Sequence, residues 1–225
     1  MLLPVLAGAT AILLSSCANN PSTGGDLLGQ YTSFDLPASL PTNQSKVRVK
    51  VSLAKQLTYV MEGDKALMVM PVSVGTSSTP TPSGNFRVQK KDHYHRANTH
   101  GYAYRGNDIR RTYLHKKPSG YSFKGTAMPY WVGFSGVDKY GFHTGWMKHA
   151  PCTHGCIRMH ENLAPKFFRL VKVGTPVSIA RTQPEDATIG RNVPRPIDAG
   201  PLPDYSPQFM LGNEYFTKHK TPSFQ

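Results

Sequence analysis

Acidic residues are scarce in this chain. Thirteen Asp and Glu stand against 26 Lys and Arg, a formal net charge of +13 over 225 residues. Cysteine is scarcer still, with three in all. Two of them, Cys152 and Cys156, share one short loop, so a bridge between them would close only a small ring and would not serve as a structural staple. Long hydrophobic runs are missing too. Only 39% of residues are hydrophobic, and beyond the first fourteen no apolar run is long enough to span a bilayer. What the chain does have is glycine (20) and proline (19), which favour short strands and turns over a helical bundle. Its length suits one good core with tails.

Met1 to Leu14 is apolar and ends in Leu14-Ser15-Ser16-Cys17. A short apolar region followed by small residues reads as a secretory signal. Leucine, two small residues and cysteine resemble a bacterial lipobox, which makes Cys17 the expected cleavage and lipidation site and residues 1–17 the signal. The expected location is then the cell envelope, by lipid anchorage to a membrane, the outer one in a Gram-negative cell. The lack of Lys or Arg before the apolar stretch departs from the pattern, and an ordinary signal peptide with an incidental cysteine is the alternative. An exported chain meets an oxidising compartment, so the redox state of Cys152 and Cys156 stays open.

Residues 18–45 are polar and rich in Ser, Thr, Asn, Gly and Pro, the composition of a flexible tether. Order is expected from Lys46. Val47, Val49 and Val51 alternate with Lys46, Arg48 and Lys50, a half-buried strand. Leu57, Tyr59 and Met61 alternate again, and the turn Glu62-Gly63-Asp64 leads to an apolar strand over 66–74, a hairpin pattern. Residues 92–127 have no clean period and read as a lid or insertion beside the active site. Asn162 is a plausible N-cap for a helix over 162–172, stopped by Gly174. The Pro-rich tail 182–225 either wraps the domain or is disordered.

The charge is concentrated. Residues 87–124 hold ten Lys or Arg and two Asp, a net +8, interleaved with five tyrosines. Such a segment can bind nucleic acid, an anionic wall polymer or lipid headgroups, or be a solvated basic loop. Export makes nucleic acid the poorest of these.

The chemistry is concentrated in Thr153-His154-Gly155-Cys156-Ile157-Arg158-Met159, with His143 upstream in Gly141-Phe142-His143-Thr144-Gly145. A thiolate is the reactive form of cysteine, and a nearby imidazole can take the thiol proton and return it to a leaving amine. A glycine before the nucleophile lets the backbone turn sharply and brings N–H groups toward a developing oxyanion. A polar loop leading toward a helix favours a lowered thiol pKa. Cys156 can instead be a small buried hydrophobe, His143 a satisfied strand-end histidine, and His154 a loop-fixing hydrogen bonder. His143, His149, Cys152, His154 and Cys156 also offer zinc ligands, but their spacing matches no closed-site pattern.

Three groups of residues carry a resemblance. The first is Gln56-Leu57-Thr58-Tyr59-Val60 with Pro71-Val72-Ser73-Val74-Gly75 and Thr81-Pro82-Ser83-Gly84-Asn85-Phe86. The second is Met128-Pro129-Tyr130-Trp131, and the third is Phe142-His143 followed by Thr153-His154-Gly155-Cys156-Ile157-Arg158. On these the chain resembles the L,D-transpeptidase (YkuD-like) catalytic domain, placed here over 46–181. The resemblance implies a mostly β sandwich or barrel with one main helix. It implies that Cys156 is the nucleophile and His143 its base, oriented by the Thr144 carbonyl. Gly155 and Cys156 amides would form much of the oxyanion hole, with His154 in support. Arg158 is the implied carboxylate grip, and Tyr130, Trp131 and Trp146 are further candidate substrate contacts. No cofactor or metal is implied, and the implied partners are peptidoglycan stem peptides. The expected activity is thioester-mediated transfer from a tetrapeptide stem, sensitive to carbapenems. Alternatives are a hydrolytic member of the same family (L,D-carboxypeptidase or endopeptidase), a zinc hydrolase, and a non-catalytic lipoprotein that binds the wall or a polyanion.

Overall fold

The structure is a computed structural model and describes residues 26–136, 138–218 and 221–225. The expected signal and Cys17 lie outside the described residues. The fold is mostly β, a curled sheet with few helices. Its strands are β1 (Val47–Ser52), β2 (Leu57–Glu62), β3 (Lys65–Ser73), β4 (Gly84–Arg87), β5 (Lys90–Asp92), β6 (Arg96–Arg105), β7 (Asp108–Tyr113), β8 (Ser122–Ala127), β9 (Trp131–Ser135), β10 (Tyr140–Thr144), β11 (Ile157–Met159) and β12 (Pro176–Ala180). Its helices are α1 (Leu27–Ser33), α2 (Ala164–Leu170), α3 (Pro207–Leu211) and α4 (Glu214–Thr217).

Nine strands form the main sheet in the order β4-β12-β1-β2-β3-β11-β10-β9-β5. The valine alternation in β1 buries Val47, Val49 and Val51 while Arg48 faces solvent, as the two-residue period of a strand requires. β2 and β3 pair as the expected hairpin. One core joins the layers: Val51, Val60, Met70, Phe134, Phe142 and Ile157 from the sheet meet Phe167 and Leu170 of α2. The Phe142 and Phe167 rings lie 4.6 Å apart. Each such buried side chain contributes roughly 1.5–3 kcal/mol, so α2 is held by its apolar face and not by length. The helix is shorter than the sequence suggests. Leu163 is its cap, and the Asn162 side chain instead donates to the Thr32 and Phe34 carbonyls, both at 2.8 Å. It ends at Leu170 because Val171 turns extended; Gly174, at φ +90°, serves the turn into β12.

The tether reading fails from residue 26 onward. Asp26 caps α1, and Tyr31, 1% exposed, is locked in place: its hydroxyl accepts from the Met147 amide at 3.0 Å, and its carbonyl lies 2.8 Å from His160 Nε2. Lys166, itself buried, donates to both Asp35 oxygens at 2.8 Å. A polar segment with one buried aromatic is ordered here because the domain's own buried polar side chains need its carbonyls as partners.

The segment without a period is also ordered. β7, β6 and β8 form a separate three-stranded antiparallel sheet. One side of it packs Tyr102 and Ala127 against Met210, Tyr215 and Phe216 of the C-terminal tail. The tail therefore wraps the domain, and farther upstream Ala199 and Leu202 pack with Tyr31 and Met147.

Candidate active site

β10 and β11 are parallel neighbours with Phe142 opposite Ile157, His143 opposite Arg158 and Thr144 opposite Met159. Residues in register project to the same face of a sheet. Phe142 and Ile157 are fully buried in the core, so His143 and Arg158 project to the other face. Cys156, one residue before Ile157, falls on that face too. Parallel strands need a long connection, and the segment 145–156 supplies it. It returns the chain so that the thiol arrives beside Gly141.

The end of that connection is fixed by Thr153, which the sequence motif includes without showing what it bonds. Its amide donates to the Val74 carbonyl (3.1 Å), and its own carbonyl accepts from the Thr76 amide (3.1 Å) and the Thr79 hydroxyl (3.0 Å). Its hydroxyl donates to the Cys156 carbonyl at 2.6 Å and accepts from the Gly155 amide at 3.2 Å. Gly155 has φ +103°, and a Cβ there would stand 2.5 Å from the Tyr140 ring, so the sharp turn before Cys156 demands glycine. Gly141 is needed for a different reason: a Cβ would collide with the Trp131 indole at 2.7 Å.

His143 Nδ1–H donates to the Thr144 carbonyl at 2.8 Å. Thr144 is itself held by its amide and hydroxyl on the Pro129 carbonyl, at 3.0 and 3.2 Å. A proton on Nδ1 leaves Nε2 as the free base. Burial pushes the His143 pKa down to about 3, and the Arg158 charge adds to the effect. Burial pushes the Cys156 thiol up, opposed by the Gly141 amide and by Arg158. The resting pair is thus thiol and neutral imidazole, against the expectation of a lowered thiol pKa. The reason is local: Cys156 leads into a strand, not a helix, and packs against Ala97, Met128 and Trp131.

A cavity of about 960 Å³ lies on this face, between the β7-β6-β8 insertion, the β10–β11 edge and the tail. His143, Trp146, Cys152, His154 and Arg158 line it; Cys156 does not. Arg158 donates to the Trp146 carbonyl at 2.7 Å and stands 3.8 Å from Cys152 Sγ. Cys152 and Cys156 are free thiols. Trp146 stacks on Tyr205 of the tail, with centroids 4.8 Å apart. His154 is solvent-exposed.

Three expectations need correction. Trp131 is 1% exposed and stacks on His95 at 4.2 Å, so it walls the thiol and does not meet the cavity. Tyr130 faces His93 and Phe168 instead. The Gly155 amide is taken by Thr153, so it serves an oxyanion only if that 3.2 Å bond is given up. The scattered zinc ligands do not converge: among the described residues no three His, Cys, Asp or Glu side chains gather as a metal site. His149 instead bonds the Pro196 carbonyl at 2.8 Å.

The fold and this face define a curled β domain that carries a cysteine and an oriented, buried histidine on one side of its sheet. The family model for the L,D-transpeptidase (YkuD) catalytic domain matches residues 46–179, and the chain belongs to that family. Among solved structures, it is similar to an L,D-transpeptidase from Stackebrandtia nassauensis (19% identity, 72% of this chain and 69% of that one, TM-score 0.46). It is similar to one from Mycobacterium smegmatis (21%, 60% and 58%, TM-score 0.45) and to the catalytic domain of the E. faecium enzyme (21%, 60% and 96%, TM-score 0.44). Comparison with curated proteins finds no match.

Proposed function

We propose that this chain is a peptidoglycan L,D-transpeptidase that works through a Cys156 thioester. The observation that carries the reading is the bond from His143 Nδ1 to the Thr144 carbonyl, on the sheet face shared by Cys156 and Arg158. It fixes the tautomer that a general base needs, the role a carboxylate fills in a Ser-His-Asp arrangement.

His143 Nε2 takes the thiol proton as Sγ bonds to the carbonyl carbon of the L,D-amide between the third and fourth stem residues. The carbonyl electron pair moves onto oxygen. As that pair returns, the C–N bond breaks, and His143 gives its proton to the leaving nitrogen, which departs as D-alanine. An acceptor amine then attacks the thioester, loses a proton to His143, and restores the thiol. If the acceptor is the third-residue side chain of another stem, the product is a 3–3 cross-link. A lipoprotein lysine gives anchoring, a free D-amino acid gives exchange, and water gives hydrolysis. Because burial holds the thiol protonated and disfavours the imidazolium, proton transfer ahead of attack is uphill, so transfer and attack belong to one event. Lipidation at Cys17 would hold the domain at a membrane facing the wall.

The reading is tested with the purified, reduced protein and a tetrapeptide stem, following D-alanine release. Release that is lost in both Cys156→Ala and His143→Gln supports it. Release that survives Cys156→Ala contradicts it.

A further inference from the structure

The cavity beside His143 is strongly one-signed. Arg111, Lys116, Lys148 and Arg158 line it, and among the described residues the only carboxylate in its lining is Asp204. Among the described residues Lys116, Lys148 and Arg158 have no acidic partner. Asp204 pairs with Arg111 at 3.1 Å, but both side chains are 64% exposed. An ion pair that open is worth little, so an incoming carboxylate can take its place. The cations come from separate parts of the chain: Arg111 from β7, Lys116 from the turn just after it, Lys148 from the β10–β11 connection and Arg158 from β11. They converge on one concave space bounded by the Trp146–Tyr205 stack. Like charges gathered in a cleft with apolar walls raise the local concentration of anions and repel cations. A solvated basic surface, by contrast, has no reason to close around a cavity or to draw cations from three segments.

We propose that this cavity is a donor subsite that reads free carboxylates upstream of the scissile amide, with Arg111 and Lys116 of the insertion as specificity-determining residues. This rests on the transpeptidase reading above. The selected donor is a stem peptide whose carboxylates are free. A stem with those groups amidated has nearly the same shape but offers the cations no charge. An acceptor that brings a protonated amine is disfavoured in this cavity and must reach the thioester by another approach.

The test is steady-state D-alanine release from two donors. One is a tetrapeptide stem with free upstream carboxylates. The other carries carboxamides there but keeps its terminal carboxylate, so any contact to Arg158 next to the reacting bond is unchanged. Wild type is compared with Arg111→Gln/Lys116→Gln, whose exposed side chains leave the thermal midpoint as a check on folding. A hydrogen bond to a charged group is strong enough to predict a preference of about tenfold or more in kcat/KM for the free-acid donor. That preference is expected to fall mainly on KM and to shrink as salt rises. In the double variant it drops to within about twofold, through loss on the free-acid donor alone. Equal use of the two donors by wild type overturns the proposal, and so does a preference that survives in the double variant. Imipenem labelling of the same protein separates the two levels of the argument. A Cys156 adduct with no donor preference removes only the subsite, whereas neither adduct nor turnover removes both.

Discussion

Gly155→Ala gives a sharp test of the turn that presents the thiol. Two separate costs are expected. The backbone sits at φ +103°, where a side chain brings strain of about 1–3 kcal/mol. The new Cβ would also fall 2.5 Å from Tyr140 Cε1 and 3.2 Å from the Pro80 carbonyl, an overpacking cost of about 1–3 kcal/mol. The sum is roughly 2–6 kcal/mol, a large share of the stability of an ordinary domain. Gly174→Ala is the internal control. It has φ +90° and nothing within 4 Å of the added carbon, so it reports the backbone cost alone. Urea unfolding of both variants gives the difference. A double-mutant cycle with Tyr140→Ala assigns the remainder to the ring, because removing the ring relieves the clash. Gly155→Ala is also expected to slow thioester formation at Cys156, since the ring and the turn cannot both keep their places. Equal destabilisation by the two alanines, with no coupling to Tyr140, would refute the packing argument.

Three further outcomes are expected. His143 is held neutral by burial and binds its proton only near pH 3, whereas the unfolded chain binds it near pH 6.5. Stability should therefore fall as pH drops below about 6.5, with a limiting slope of about 1.4 kcal/mol per pH unit for this one group. Buried His160 and His95 shift in the same direction. Denaturation at graded pH checks this, and a His143→Gln protein should lose part of the slope. Arg158→Gln removes a charge that lowers both His143 and Cys156, so iodoacetamide alkylation of Cys156, followed by peptide mapping, should move to higher pH; an unmoved or lowered profile contradicts the electrostatics. Asn162→Ala leaves the Thr32 and Phe34 carbonyls without their donor, which should cost about 1–3 kcal/mol and reduce hydrogen-exchange protection across 27–33; unchanged protection would show that α1 is held by other contacts.

The parts of the fold legible in the sequence are those whose side chains obey one rule. β1 alternates because one of its faces meets the core, whereas β2 alternates between two clusters, Val60 entering the main core and Leu57, Tyr59 and Met61 packing with Val193 on the other face. Gly155 is readable because its turn at φ +103° beside Tyr140 admits no side chain. The insertion was not readable as strands. Its burial comes from the tail rather than the main core, and β7 carries arginines at 110 and 111 in succession, so no two-residue period survives. The segment from Asp26 was hidden for a related reason. Its composition is polar, and its order comes from partners such as His160, Asn162 and Lys166, more than a hundred residues away. Around Cys156, the local environment was not legible. Nothing in the local sequence says that Trp131 and Met128 wall the thiol and raise its pKa, or that Thr153 occupies the Gly155 amide.

The central claim is that Cys156 is the thiol that His143 activates. The most direct measurement is intact-protein mass spectrometry of the reduced chain after incubation with imipenem, alongside Cys156→Ala and Cys152→Ala. The account predicts one adduct, retained in Cys152→Ala and absent from Cys156→Ala, with His143→Gln acquiring it far more slowly. A label that persists without Cys156, or a folded and reduced wild type that takes none, would contradict it.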